Sequence, residues 1–299
     1  MALGREAITK AYKRLQDSIC NAISEADGKV ELVSEIWERP GGGGGDTRMI
    51  ENGAVIEKGG VNFSAVHGAL PPKIATALKA RSEEFFATGV SIVMHPENPF
   101  VPIIHMNIRY FEMDNGKWWF GGGIDLTPHY VNQGEAKWFH NQLKETCDQY
   151  DSEYYARFKN WADEYFYVRH RKESRGVSGI FFDRLNEDAE KKSKEELFKF
   201  QLAIGEVFAP IYTRLITDNK NKQYSDLNKA WQMHRRSRYV EFNLVHDKGT
   251  KFGLDTNGRI DSILMSLPPS TGWLYNQSWP ENGPEMETQK MLETLYVPK

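Results

Sequence analysis

Cysteine is scarce in this chain. Cys20 and Cys147 are the only two among 299 residues, and they stand far apart. That excludes a disulfide framework and points to a reducing compartment. Long apolar runs are also missing. No stretch approaches the roughly 18 apolar residues of a membrane span, and the N-terminal MALGREAITKAYKRLQDSIC has no apolar signal core. The expectation is a cytoplasmic protein with no membrane span. Charge of one sign is lacking as well. A net charge of -3 offers no broad field for a polyanion, so nucleic acid is not an expected partner. No Walker-type loop, no G-x-G-x-x-G after a strand and no G-x-S-x-G elbow occurs, so nothing advertises nucleotide, flavin or acyl-enzyme chemistry. With no internal repeat and no Pro/Ser-rich linker, residues 1–299 read as one domain.

What is present is concentrated in a few stretches. In KWWFGGGIDLTPHY, Trp118, Trp119 and Phe120 meet Gly121–Gly123, and the lone acid Asp125 follows. Three glycines add no packing to a strand and cost chain entropy. The arrangement suggests a flat molecule lying close against the chain.

Ile8, Tyr12, Leu15, Ile19 and Ile23 recur at helical spacing up to Gly28. Gly41–Gly45 reads as a surface loop and a candidate lid. Asn52-Gly53 lies between alternating segments and predicts a hairpin with a type I′ turn. Helices are expected over residues 72–86, 134–149, 152–170, 194–217, 225–235 and 283–295. Tyr154, Phe158, Trp161 and Tyr165 would form the buried face of the 152–170 helix. Strands are expected at VSIVMH, at IIHMNIRYFEM and around Trp118, then from Arg238 to Val245, at TKFGL and at SILMSLP. Hairpins at both ends framing helices, without a βαβ rhythm, favour an α+β fold with a mainly antiparallel sheet covered by helices.

Residues two apart share a strand face. His105, Asn107, Arg109 and Phe111 therefore lie together, opposite Met106, Ile108 and Tyr110. Ser91, Val93 and His95 share a face of the strand before, and the intervening loop is short enough for the two to pair. The result is one polar surface with two imidazoles, an amide, a hydroxyl and a guanidinium; an ordinary water-facing alternation is the plainer alternative. His140 and His170 add imidazoles, but no short metal-ligand spacing links the four. Arg235, Arg236 and Arg238 form a basic cluster. With Arg175 and Arg259 they would suit a small polycarboxylate, since guanidinium forks bind carboxylates bidentately. Surface ion pairs are the plainer alternative for each.

Taken in order, GGGGGDTRMIENGAVIEKGGVNFSAVHG, GVSIVMHPENPFVPIIHMNIRYFE, WWFGGGIDLTPHY, YVRHRKESRGVSGIFFD and RRSRYVEFNLVHDKGTKFGL with SILMSLPP resemble the oxygen-dependent coproporphyrinogen III oxidase family. The likeness runs from about residue 5 to residue 295. It implies a large, flat, mainly antiparallel sheet flanked on both faces by helices, and a homodimer. It implies oxidative decarboxylation of two propionates of coproporphyrinogen III to vinyl groups, with O2 as co-substrate and no organic cofactor. By the same resemblance His105 is a proton donor, Asp125 accepts pyrrole N–H hydrogen bonds and Arg109 stabilises charge beside it. Ser91, Asn107, Ile108, Arg109, Asp125, Asn257, Gly258 and Arg259 would touch substrate. His95, His105, His140 and His170 match a divalent metal site proposed in the family, which leaves a metal-dependent variant open; a non-catalytic tetrapyrrole carrier is the other alternative. Three positions depart from the family pattern. Ser237 stands where Gly is usual and would alter a tight turn, His246 replaces an aromatic residue, and Asn257 replaces Gly.

Overall fold

The computed structural model describes residues 3–70, 75, 84–255 and 258–296. Helix α1 (Arg5–Asp27) comes first and ends at Gly28, whose φ of 75° makes the left-handed cap. Six strands follow: β1 (Val33–Glu38), β2 (Gly43–Glu51), β3 (Ile56–Ala69), β4 (Glu84–Pro96), β5 (Ile103–Met113) and β6 (Trp118–Thr127). Next come α2 (Gln133–Asp148), α3 (Tyr154–Phe166), the short pair β7 (Tyr167–Val168) and β8 (Glu173–Ser174), and β9 (Gly179–Leu185). The rest is helical: α4 (Glu187–Glu190), α5 (Lys194–Glu206), α6 (Phe208–Asn219), α7 (Asp226–Val245), α8 (Lys248–Asp255), α9 (Ile260–Leu264) and α10 (Pro284–Thr294).

Strands β1 to β6 and β9 form one seven-stranded antiparallel sheet in that order. Its helical face carries Ile92, Met106, Ile108, Tyr110, Phe120, Ile124, Ile180 and Phe182, all fully buried. Tyr12 and Leu15 of α1, Phe158 of α3 and Phe200 of α5 pack into the same core. Each such side chain withdrawn from water contributes on the order of 2 kcal/mol. Among the described residues the opposite face is covered at both ends: Leu70 and Ala75 pack with Met113, Phe85, Phe111 and Trp119 at one, and helices cover the other, which holds His95, Ile103 and Thr127 and is called the covered end below. There Tyr239 of α7 packs on Val93 and Ile103, Met265 lies against Gly60, and Ser262 of α9 meets Thr47 and Asn62. Between these ends, from His105 to Phe111, this face is half exposed, and it is called the open face below.

Several expected elements differ. The strand expected from Arg238 to Val245 is the second half of α7. Trp231, Arg235, Tyr239 and Phe242 are among its buried positions, three and four apart, so helical periodicity wins over β-branched composition. TKFGL and SILMSLP likewise lie in α8 and α9 and their exit. Among the described residues all strands therefore precede residue 186, and no hairpin closes the C-terminal end. Ser237 is mid-helix, not in a turn; its hydroxyl donates to the His234 carbonyl at 2.7 Å. The 194–217 helix breaks at Val207 into α5 and α6. Trp161 is exposed, and Ala162 and Phe166 take its place on the buried face of α3. Gly43–Gly45 belong to β2, so the glycine run is strand end and turn rather than a lid. The Asn52-Gly53 hairpin forms, but only Asn52 has positive φ, at 56°. Its turn is held instead by Asp27, which accepts from the N–H groups of Ala54, Val55 and Ile56. Of the 72–86 helix, Glu84–Phe86 is strand and most of the remainder lies outside the described residues.

Candidate active site

Register builds the site. Opposite Ser91 on β4 stands Asn107 on β5, then Gly123 on β6 and Phe181 on β9. One row toward the covered end, Val93, His105, Asp125 and Gly179 are aligned. One row the other way lie Gly89, Arg109 and Gly121. The polar surface read from the sequence is thus present as Ser91, His105, Asn107 and Arg109, with Met106, Ile108 and Tyr110 buried behind it, but the second imidazole is not on it, because His95 is buried at the covered end.

Asp125 is buried beneath this surface, and both its oxygens are engaged. One accepts from His105 Nδ1 at 2.7 Å. The other accepts from the Arg175 guanidinium, which also donates to Asn243 at 3.2 Å. Arg175 is 3% exposed and stacks among Phe166, Tyr239 and Phe242, its Cζ 4.3 to 4.8 Å from their ring centres. Burial pushes the Asp125 carboxyl up, but Arg175 and His105 outweigh it and hold the group below the usual carboxylate range. A carboxylate only accepts, so His105 Nδ1 carries the proton. Nε2 is then the ring nitrogen left without a partner in Asp125, on a side chain 29% exposed to the open face. Of this pair His105 is the more exposed side chain, and Asp125 lies beneath it. Each Asp125 oxygen already accepts one hydrogen bond and keeps a second lone pair.

Arg109 is half exposed. It donates to Asn107 Oδ1 at 2.9 Å and to Asp183 Oδ1 at 2.9 Å. Asp183 reaches it through a bulge. Between Phe182–Gly122 and Leu185–Phe120, β9 sets two residues, Asp183 and Arg184, against the single Gly121. Arg184 takes a φ of 56° there, a strain of order 1 kcal/mol for a residue with a side chain. A Cβ on Gly121 would stand 2.4 Å from Asp183 Oδ1 and 2.9 Å from Arg109 Nη2. Gly121 therefore makes room for the ion pair. Gly122 and Gly123 yield instead to the Asn107 and Ile180 carbonyls of the flanking strands, 2.6 Å from each added Cβ. The aromatics before them divide between faces. Trp119 stacks on Phe111 at 4.5 Å at the rim of the open face, while Phe120 is buried behind it.

Other expected residues fall elsewhere. Ile108 turns its side chain into the core, so only its backbone could meet a ligand. Asn257 lies outside the described residues. Arg259 pairs with Glu35, and Gly258 precedes it. Glu35, Thr47, Asn62, Ser91 and Asn107 stand in one row across five strands, so Glu35 lies about 19 Å from Asn107 at ~4.8 Å per strand. The arginine cluster is spent internally. Arg235 binds Glu173 and Gln289, and Arg236 binds Glu57 at 2.5 Å and the Pro96 carbonyl at 2.9 Å. Arg238 is 3.7 Å from Glu241.

The four histidines do not build one metal site. His95 is fully buried, with Nε2 2.8 Å from the Ser266 carbonyl, and burial drives its pKa down to about 3. His140 faces the Val177 carbonyl at 2.9 Å and the Tyr155 hydroxyl at 3.1 Å. His170 pairs with Glu241 and stacks on His246. Among the described residues no three His, Cys, Asp or Glu side chains converge as a donor set. These ligands do not fit a shared ion.

Two residues of the site were not predicted in these roles. Arg175 was noted only as one of several arginines, and no local pattern pairs it with Asp125 fifty residues earlier. Asp183 shares strand parity with Phe181, a signal that could have placed it on the open face, but the bulge that aims it leaves no mark.

The sequence profile described as coproporphyrinogen III oxidase matches residues 7–296. A chloroplastic oxygen-dependent coproporphyrinogen-III oxidase of Glycine max is 45% identical, over 99% of this chain and 79% of its own length. The mitochondrial protein of that name from Rattus norvegicus is 46% identical over 95% of this chain and 66% of its own length. One from Prochlorococcus marinus is 44% identical over 94% and 87%. The chain belongs to the coproporphyrinogen III oxidase family.

Proposed function

We propose that this chain catalyses the oxygen-dependent oxidative decarboxylation of coproporphyrinogen III to protoporphyrinogen IX, a step of haem biosynthesis. The family match across residues 7–296, which includes the whole open face, carries the reading. Each reacting propionate loses CO2, a proton and two electrons as it becomes a vinyl group. Molecular oxygen accepts the electrons, and the reading invokes no organic cofactor. The half-exposed Arg109 offers a carboxylate two-point recognition. His105 Nε2 is the group able to take or return a proton on that face. Asp125 and Arg175 fix its ring and tautomer from below. Arg259, on the same face, is a candidate for a second carboxylate of the macrocycle.

No helix among the described residues is long and apolar enough to cross a membrane. We place the protein in the cytoplasm, a reading supported by two buried cysteines without a disulfide. A homodimer is part of the same proposal; Val33 and Ile36 on β1 are 73% and 79% exposed and suit burial against a second copy.

The test is turnover of coproporphyrinogen III by chelator-treated protein, in air and without oxygen, with metal assayed in the same sample. Protoporphyrinogen formed only in air, at negligible metal, is the expected result. Activity that vanishes with the metal and returns on adding one would favour the metal-dependent variant. Tight porphyrin binding without turnover would reduce the chain to a carrier.

A further inference from the structure

Asp183 has no part in the chemistry proposed above, yet it occupies the guanidinium that a propionate must reach. We propose that Asp183 is an exchangeable internal carboxylate. It holds Arg109 in the empty site, is displaced by a propionate of the substrate, and reclaims Arg109 once that propionate has become a vinyl group. This inference rests on the function proposed above.

Three observations carry it. The Arg109–Asp183 contact is a single 2.9 Å hydrogen bond, not a fork. The two side chains are 38% and 29% exposed, so water and ligand reach both, and such pairs bind weakly. The sheet is shaped around the contact, with an extra residue in β9 and no side chain at Gly121. Arg109 keeps its bond to Asn107 while it changes partner, so the guanidinium stays in place. A permanent Asp183 bond would compete with substrate. An unpaired Arg109 would favour the tetracarboxylate over the dicarboxylate product and would leave a bare cation beside a vinyl group. Exchange between two carboxylates avoids both.

The experiment compares wild type with Asp183→Asn, which keeps the shape and removes the charge. Binding of coproporphyrin III and protoporphyrin IX, the oxidised and unreactive forms, is followed by fluorescence titration. Coproporphyrin III should bind the variant about fivefold more tightly, the worth of a half-exposed ion pair near 1 kcal/mol. Protoporphyrin IX should bind no more tightly than before. In Arg109→Gln the further Asp183→Asn change should give no gain, which assigns the effect to this pair. Unchanged or weaker coproporphyrin binding would overturn the proposal, and so would equal tightening for both ligands. Wild-type turnover on the same preparation tests the proposed function separately, since the titrations need no chemistry.

Discussion

Two arginine–aspartate pairs lie along strand β6, about 13 Å apart by the rise of four residues. Asp125 with Arg175 is sealed, each side chain 3% exposed. Arg109 with Asp183 is open to water. The chemistry is the same in both, and the surroundings separate them. Three aromatic rings and an asparagine hold Arg175, so removing either partner would strand a buried charge. Among the described residues nothing comparable encloses Arg109, and its attraction to Asp183 is screened. The sealed pair suits a fixed support under His105. The open pair suits a partner that can be exchanged.

The largest expected effect tests the sealed pair through catalysis. Asp125→Ala releases His105 Nδ1 and should lower kcat/KM on the order of 10²- to 10⁴-fold, the usual worth of a positioned acid–base group. Turnover within a few-fold of wild type, with the fold intact by circular dichroism, would remove Asp125 from the mechanism.

Next is stability. Arg175→Met leaves the buried Asp125 carboxylate without its guanidinium and should lower unfolding free energy by about 3–5 kcal/mol. Arg109→Met should change it by less than about 1 kcal/mol. Urea midpoints for the two variants would break the comparison if they moved equally.

A smaller effect concerns His95, which is buried at the covered end with no carboxylate partner. Burial first, then Arg236, Lys58 and Arg175, lower its pKa to about 3. The unfolded chain therefore binds this proton more readily than the folded one. His95 contributes stability that is complete above its ordinary pKa near 6.5 and is lost as pH falls from there toward 3. His95→Gln should flatten that part of the stability–pH curve, and an unaltered slope would mean the ring is not neutral in the fold.

How much of this was legible in the sequence varied with the range of the signal. Strand parity placed His105, Asn107 and Arg109 on one face, because a two-residue repeat is a local property of the backbone. The family resemblance added Asp125 and the activity. The second half of α7 was misread because Tyr239, Val240, Phe242 and Val245 are good strand formers. The burial of Tyr239, Val240 and Phe242 at helical spacing depends on Arg175 and the sheet, which are distant in sequence. The arginine cluster misled for the same reason, since Glu57 and Glu173, which neutralise it, come from other elements. The glycine triplet invited a ligand and received neighbouring strands and an ion pair.

The bulge at Asp183 and Arg184 makes chain length a variable of the site. Deleting Arg184 would leave Phe182 opposite Gly122 and Leu185 opposite Phe120, so the core would keep its pairing. Asp183 would then stand in the ladder opposite Gly121, still on the open face by parity but across Gly121 from Arg109 without the bulge that aims it. A single missing residue, with Arg109, Asn107 and Asp183 all retained, would alter how the cation meets its internal partner.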